Sequence, residues 1–105
     1  MSFLSIFGIG NSRIREALRQ GATIIDVRNA NEFDQGKIRH SFNIPIDRLN
    51  INVERVRHMR KPIIICGNSD AESEQAIAIL KTKGVVRDIH NGGSWTSLLK
   101  KVKSL

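Results

Sequence analysis

The chain offers one sulfur nucleophile, Cys66, which stands directly behind the most apolar run in the sequence, Ile63-Ile64-Ile65. Such a run, bounded by Pro62 and by the polar stretch Gly67-Asn68-Ser69-Asp70, predicts a buried central strand of a parallel sheet that ends at the thiol. Glu72 to Lys83 follows as an amphipathic helix, with Ala76, Ile77, Ile79 and Leu80 on its apolar side and Gly84 as its stop. The thiol is therefore placed at the carboxyl end of a strand and just before a helix N-terminus, where open α/β sheets bind ligands. Unpaired N–H groups there would favour a thiolate and lower the pKa below the free value of ~8.5. Position alone leaves two readings: a small buried hydrophobe or a nucleophile. One cysteine excludes an intrachain disulfide and a multi-cysteine zinc site.

The remaining polar residues suggest support rather than chemistry. Asp26, Arg28 and Glu32 are expected to form a buried ion-pair and cap cluster, since buried charges persist when paired. His40, His58 and His90 fall in loop, helix-end and pre-turn positions and read as surface or capping residues. Trp95 reads as a core anchor of the last helix.

The elements that must position these residues alternate between short apolar runs and stretches of helical period, the pattern of a parallel sheet covered by helices. Ser12 to Gln20 is expected to be a helix capped by Asn11 and ended by Gly21, followed by a strand over Thr23 to Val27. One helical turn around Glu32 and Phe33 is closed by Gly36, and a short strand over Ser41 to Ile44 stops at Pro45. Asp47 to Met59 is expected to be helical, Val85 to Ile89 a strand, and Asn91-Gly92-Gly93 a turn into a last helix carrying Trp95, Leu98, Leu99 and Val102.

With 105 residues there is room for one domain, and a content of 40% hydrophobic residues is enough to give it a core without disulfides. The domain is expected to span residues 11–105 behind an apolar N-terminal segment, residues 1–10, which lacks the basic leader of a signal peptide. No stretch approaches the ~20 apolar residues of a membrane span, so a cytoplasmic protein is expected. The net charge of +7 draws anions in general, but four Phe, one Trp and no Tyr give no stacking surface, which argues against nucleic acid. The densest basic groupings are Arg55, Arg57, Arg60 and Lys61, then Lys100, Lys101 and Lys103.

Several segments in order resemble the rhodanese-like family of sulfurtransferase domains. Ile24-Ile25-Asp26-Val27-Arg28 with Glu32, Phe33 and Gly36 is similar to its hydrophobic-Asp-Val-Arg strand and the acidic-aromatic-Gly helix. Gly36-Lys37-Ile38 with Asn43-Ile44-Pro45 resembles its Gly-His-Ile and Asn-Ile-Pro stretch, Ile63 to Cys66 its nucleophile strand, and Gly92-Gly93 with Trp95 its closing turn. The resemblance implies a single rhodanese-like α/β domain, with a central, mostly parallel sheet flanked by helices on both faces. It also implies transfer of sulfane sulfur from a small donor to a thiol or protein acceptor through a persulfide on Cys66. The backbone amides of Gly67, Asn68, Ser69, Asp70, Ala71 and Glu72 would cradle that persulfide, with no metal or organic cofactor.

Departures from the pattern shape the expectation further. The loop carries Asp70, Glu72 and Glu74 and no Arg or Lys, so it should repel dianionic thiosulfate and oppose thiolate formation. It reads as about one residue longer than usual, which predicts a wider pocket, while the absence of a closing Arg excludes phosphate-ester chemistry. The usual Gly-His is Gly36-Lys37, and the usual Pro-Gly-Ala is Arg39-His40-Ser41. Two functions follow: a sulfurtransferase or persulfide carrier, and a catalytically weak or silent module of the same fold that binds a partner protein.

Overall fold

The protein is described by a computed structural model over residues 12–105. Residues 12–19 form helix α1. Its expected cap, Asn11, and the apolar segment 1–10 lie outside the described residues. Gly21 follows α1 with φ +81, the left-handed conformation that favours glycine at a helix end.

The other elements are β1 (Thr23–Asp26), α2 (Ala30–Gln35), β2 (Phe42–Asn43), a 3₁₀ helix η1 (Ile46–Asn52), α3 (Val53–Arg57), β3 (Ile63–Gly67), α4 (Asp70–Thr82), β4 (Ile89–Ser94) and α5 (Trp95–Lys103). The strands make one parallel sheet in the order β2-β1-β3-β4. β3 is buried at every position, as a two-sided parallel strand must be, and its alternation divides the core. Ile63 and Ile65 face η1, α3 and α4 through Leu49, Val53, Val56, Ala76, Ile77 and Leu80. Ile64 and Cys66 face α1 and α5 through Ile14, Ala17 and Leu98. Helices therefore cover both faces.

Three expectations are corrected. The stretch Asp47 to Met59 is not one helix: Pro45 leads into a 3₁₀ segment, Asn52 donates its side-chain amide to the Arg48 carbonyl at 2.9 Å, and only Val53–Arg57 is α-helical. Asn50 and Asn52 are poor helix formers, and their side chains compete for the backbone. The run Val85 to Ile89 is not the strand. Val85 is held instead by its N–H on the Leu80 carbonyl at 3.0 Å, Asp88 takes φ +56, and pairing starts only at Ile89.

The Gly-Gly turn, thirdly, is part of β4. Between the pairs Ile65↔Asn91 and Gly67↔Ser94, β3 has one residue, Cys66, and β4 has two, Gly92 and Gly93. This is a bulge directly opposite the thiol, and Gly93 takes φ +75 there. At the glycine of the resembled pattern stands His40, which takes φ +69 in an exposed turn.

The basic grouping around residues 55–61 is committed to helix ends. Arg57 donates to the Lys83 carbonyl beyond α4, Lys61 Nζ to the Arg57 carbonyl at 3.0 Å, and Arg60 to the Gln20 carbonyl beyond α1 at 3.1 Å. Cations are stabilising there because each helix presents unpaired carbonyls and the negative end of its dipole. Arg55 lies over the Phe42 ring, 5.6 Å from its centroid.

A side chain at Gly92 has no room. An added Cβ would meet Ile64 Cγ2 at 2.6 Å, the Ile65 carbonyl oxygen at 3.1 Å and Leu98 Cδ2 at 3.1 Å. Gly92→Ala is expected to destabilise the fold by roughly 1–3 kcal/mol, the cost of overpacking a filled core. Urea unfolding would check this, and an unchanged midpoint would show that β4 can move away from β3.

Candidate functional site

Cys66 ends the apolar part of β3 and is paired in register with Asp26 of β1, while its carbonyl accepts the Val27 N–H at 2.9 Å. The residue is 0% exposed and packs with Ile24, Ile38, Ile64 and Leu98, against the half-buried Trp95. Burial pushes its thiol up from about 9 to about 12; the nearby Asp26 charge adds to the rise and Arg28 acts against it. The expected lowering of the pKa is thereby corrected, because loss of solvent outweighs whatever the helix N-terminus contributes. The acidic influence on the thiol is also relocated, from the loop to Asp26.

The loop after Cys66 is shorter than expected. β3 continues through Gly67 and α4 begins at Asp70 rather than at Glu72, so only Asn68 and Ser69 connect them. The helix starts early because Ser69 is an effective N-cap: its Oγ accepts the Glu72 N–H at 3.1 Å, and its carbonyl accepts the Ser73 N–H at 3.2 Å. Of the six amides anticipated as a cradle, Gly67 lies within the strand, and the Asn68 N–H donates to Glu72 Oε1 at 3.0 Å. Glu72 is engaged by the cap, and Asp70 and Ala71 fall in the first helical turn, where N–H groups have no intrahelical acceptor.

Beside the thiol lies a buried ion pair. Arg28 Nη2 and Asp26 Oδ2 are 2.7 Å apart, with side chains 4% and 1% exposed. Arg28 Nε donates to both Asp26 oxygens at 3.0 Å, and the backbone N–H of Arg28 donates to Oδ1 at 3.0 Å. The guanidinium also donates to the carbonyls of Glu32 at 3.1 Å and Gly36 at 2.6 Å, and it stacks 4.2 Å from the Trp95 ring centroid. Glu32 thus serves Arg28 through its backbone. Its carboxylate completes the capping box with Asn29 and accepts from Asn68 Nδ2 at 3.3 Å. Arg28, Glu32, Gln35, Gly36 and Trp95 line an open groove of about 310 Å³. Gly36 lets the ring approach closely, since Trp95 Cη2 would stand 3.0 Å from a Cβ there.

Two supporting residues escaped the sequence reading. The Asn43 side-chain amide donates to the carbonyls of Asp26 at 3.1 Å and Arg28 at 2.8 Å, fastening β2 to the end of β1. Ser73 is buried on the apolar side of α4 and donates its hydroxyl to the Gly93 carbonyl at 2.9 Å, tying the helix to the bulge. A small polar residue on an apolar helix face was the available signal. The histidines are dispersed: His40 in its turn, His58 at the end of α3 with Nδ1 2.8 Å from the Glu54 carbonyl, and His90 in β4 opposite Ile64. Among the described residues no group of three His, Cys, Asp or Glu could hold a metal, and no helix is long and apolar enough to cross a membrane.

Comparison with known proteins places this geometry in context. Residues 11–99 match the profile of the Rhodanese-like domain family. No curated protein matches the chain. Among solved structures, the chain is similar to reduced CoADR-RHD of Bacillus anthracis, with 29% identity and a TM-score of 0.64 over 90% of this chain and 16% of that one. It is similar to the Rhodanese-like domain of the Alr3790 protein from Anabaena sp., with 27% identity and a TM-score of 0.57 over 69% of each chain. A rhodanese-related protein from Thermoplasma volcanium shares the fold, with 24% identity and a TM-score of 0.64 over 87% of this chain and 88% of that one.

Asp26→Asn is expected to cost about 3 kcal/mol of stability, because it leaves the Arg28 guanidinium buried without its counter-charge. The same change should lower the Cys66 pKa, since a charge that opposes the thiolate is removed while Arg28 remains. Alkylation by iodoacetamide reads the second effect. In the wild type the rate should still be climbing past roughly pH 10, and in the variant the curve should move to lower pH. An unmoved curve would uncouple Asp26 from the thiol.

Proposed function

The chain belongs to the Rhodanese-like domain family, and from that premise we propose that it is a sulfurtransferase or persulfide carrier that moves sulfane sulfur through Cys66. The observation that carries the reading is the position of Cys66 at the carboxyl end of the central strand, with α4 beginning three residues beyond Gly67. A nucleophile set there has open N–H groups within the same turn of chain, and a persulfide needs such donors because it is more acidic than its parent thiol and is held as an anion. The functional unit is the single domain of residues 11–105.

In the loading step the Cys66 sulfur attacks the outer sulfur of a donor R–S–SH. The Cys66 S–S bond forms as the donor S–S bond breaks, the donor leaves as R–S⁻, and the Cys66 proton ends on it. The sum is Cys66–SH plus R–S–SH giving Cys66–S–SH plus R–SH, with no net oxidation. An acceptor thiol or protein then takes the outer sulfur by the same exchange. The Asp70 and Ala71 amides would hold the persulfide, while Arg28 offsets the Asp26 charge beside it. No step calls for a metal or organic cofactor, because sulfur is the covalent passenger. The partners are a small sulfur donor and a thiol or protein acceptor.

A second reading, a catalytically weak or silent module that binds a partner protein, is favoured by one observation. Cys66 is wholly buried, and its thiol is pushed up to about 12. The two readings separate on sulfur loading. Incubation with cysteamine persulfide should add the mass of one sulfur atom to the intact protein. The addition should be removed by dithiothreitol and absent from Cys66→Ser. A wild-type chain that gains no mass would leave only the binding module.

A further inference from the structure

We infer that Glu72 sets the donor specificity of the Cys66 site: its carboxylate fills the anion position of the loop, so the site rejects dianionic donors such as thiosulfate and accepts persulfides on an uncharged or cationic carrier. This rests on the reading of Cys66 as a persulfide carrier. Three carboxylates follow the thiol in sequence, and the structure separates them. Glu74 is exposed, and its Oε2 accepts from Asn91 Nδ2 at 3.1 Å, on the β4 side. Asp70 is also exposed and turned toward β4, where its Oδ1 would lie 3.3 Å from a Cβ on Gly93. Glu72 is half-buried and turned back into the loop. Its Oε1 accepts the Asn68 N–H at 3.0 Å and would stand 2.5 Å from a Cβ on Gly67, the residue after the thiol.

This is not an ordinary capping box, in which the acid at the third helical position returns to the N–H of the N-cap. Here the N-cap is Ser69, and Glu72 reaches one residue further, to Asn68. The carboxylate thus takes a loop amide that an incoming oxyanion would need. On the far side of Asn68, Glu32 Oε1 accepts from its Nδ2 at 3.3 Å, so a second carboxylate contacts the same loop residue. The one cation lining the adjoining groove, Arg28, has its guanidinium committed to Asp26 and to the Glu32 and Gly36 carbonyls. A dianion would therefore meet like charge at Asn68, whose amide is already engaged, with no free cation among the described residues that line the groove. A cationic carrier meets attraction instead, and Glu72 can accept its hydrogen bonds.

The step affected is loading. From thiosulfate, the Cys66 sulfur takes the outer sulfur and sulfite departs with the bonding pair. From R–S–SH, the thiol R–SH departs with the Cys66 proton. The test compares loading of Cys66 from thiosulfate and from cysteamine persulfide, by intact mass against time, in wild type, Glu72→Gln and Glu72→Ala. Wild type should load at least about tenfold faster from cysteamine persulfide. Both variants should raise the thiosulfate rate about tenfold and lower the cysteamine persulfide rate, because the cationic carrier loses its acceptor. A purely helix-capping role would lower the melting temperature and leave the ratio of the two rates unmoved, which overturns the inference while persulfide loading upholds the sulfur-transfer reading. Loading from neither donor in any of the three proteins would overturn both. An independent readout uses inorganic sulfate and the Asn68 amide resonance. Sulfate should shift that resonance in Glu72→Gln and not in wild type, and an equal shift in both would also overturn the inference.

Discussion

Arg28 can be buried beside the sheet only if its charge is matched and its N–H groups are donated, and the groups that do this come from three separate parts of the chain. Asp26 supplies the carboxylate from the end of β1, Glu32 and Gly36 supply carbonyls from α2 and its exit, and Trp95 supplies a ring face from the start of α5. Removing a guanidinium from water is unfavourable by several kcal/mol unless it is so received. Burial of this one side chain therefore fixes where α2 and α5 sit relative to the strand ends. Asn43 adds β2 to the same junction by holding the Asp26 and Arg28 carbonyls. The ion pair also sets the field at the thiol, since its two members act on Cys66 with opposite sign.

The second constraint is the closeness of β3 to its neighbours. It is paired on both sides, and Gly92 is accommodated only because it has no side chain to strike Ile64 and Leu98. The bulge at Gly92-Gly93 falls opposite Cys66, and Ser73 clamps it to α4 through the Gly93 carbonyl. The strand end, the bulge and the first turn of the helix are thus one rigid assembly. Next to them runs the two-residue link Asn68-Ser69, held by the Glu72 carboxylate on the Asn68 N–H and by the Ser69 cap.

Much of this was legible in the residues because it follows from local rules. Ile63-Ile64-Ile65 had to be a central strand, Glu72 to Lys83 had to bury its Ala-Ile-Leu side, and the acidic and basic members of the Asp26 cluster had to meet. Rules for neighbours in sequence failed where distant contacts decide. Val85-Val86 looked like a strand, but the Leu80 carbonyl captured the chain first and left Val86 exposed. Asn91-Gly92-Gly93 looked like a turn because glycine usually marks one, whereas here it marks a close approach between strands. The early start of α4 and the inward turn of Glu72 depend on which hydrogen bonds Ser69 and Asn68 find in three dimensions. The dense basic grouping at residues 55–61 stood out by charge alone, and Arg57, Arg60 and Lys61 are held by carbonyls at helix ends. Sequence order does not disclose that assignment.

The burial of Cys66 carries a consequence for oxidative chemistry. Susceptibility to peroxide follows thiolate character and exposure, and in the resting fold this sulfur has neither. A thiol that must meet reactive sulfur species would be lost if it advanced to the sulfinic or sulfonic state. Buried among Ile24, Ile38, Ile64 and Leu98 and kept protonated, it is shielded from such reagents in the resting fold. The packing that slows the sulfur also preserves it, and the chain needs no second cysteine to rescue the first by forming a disulfide.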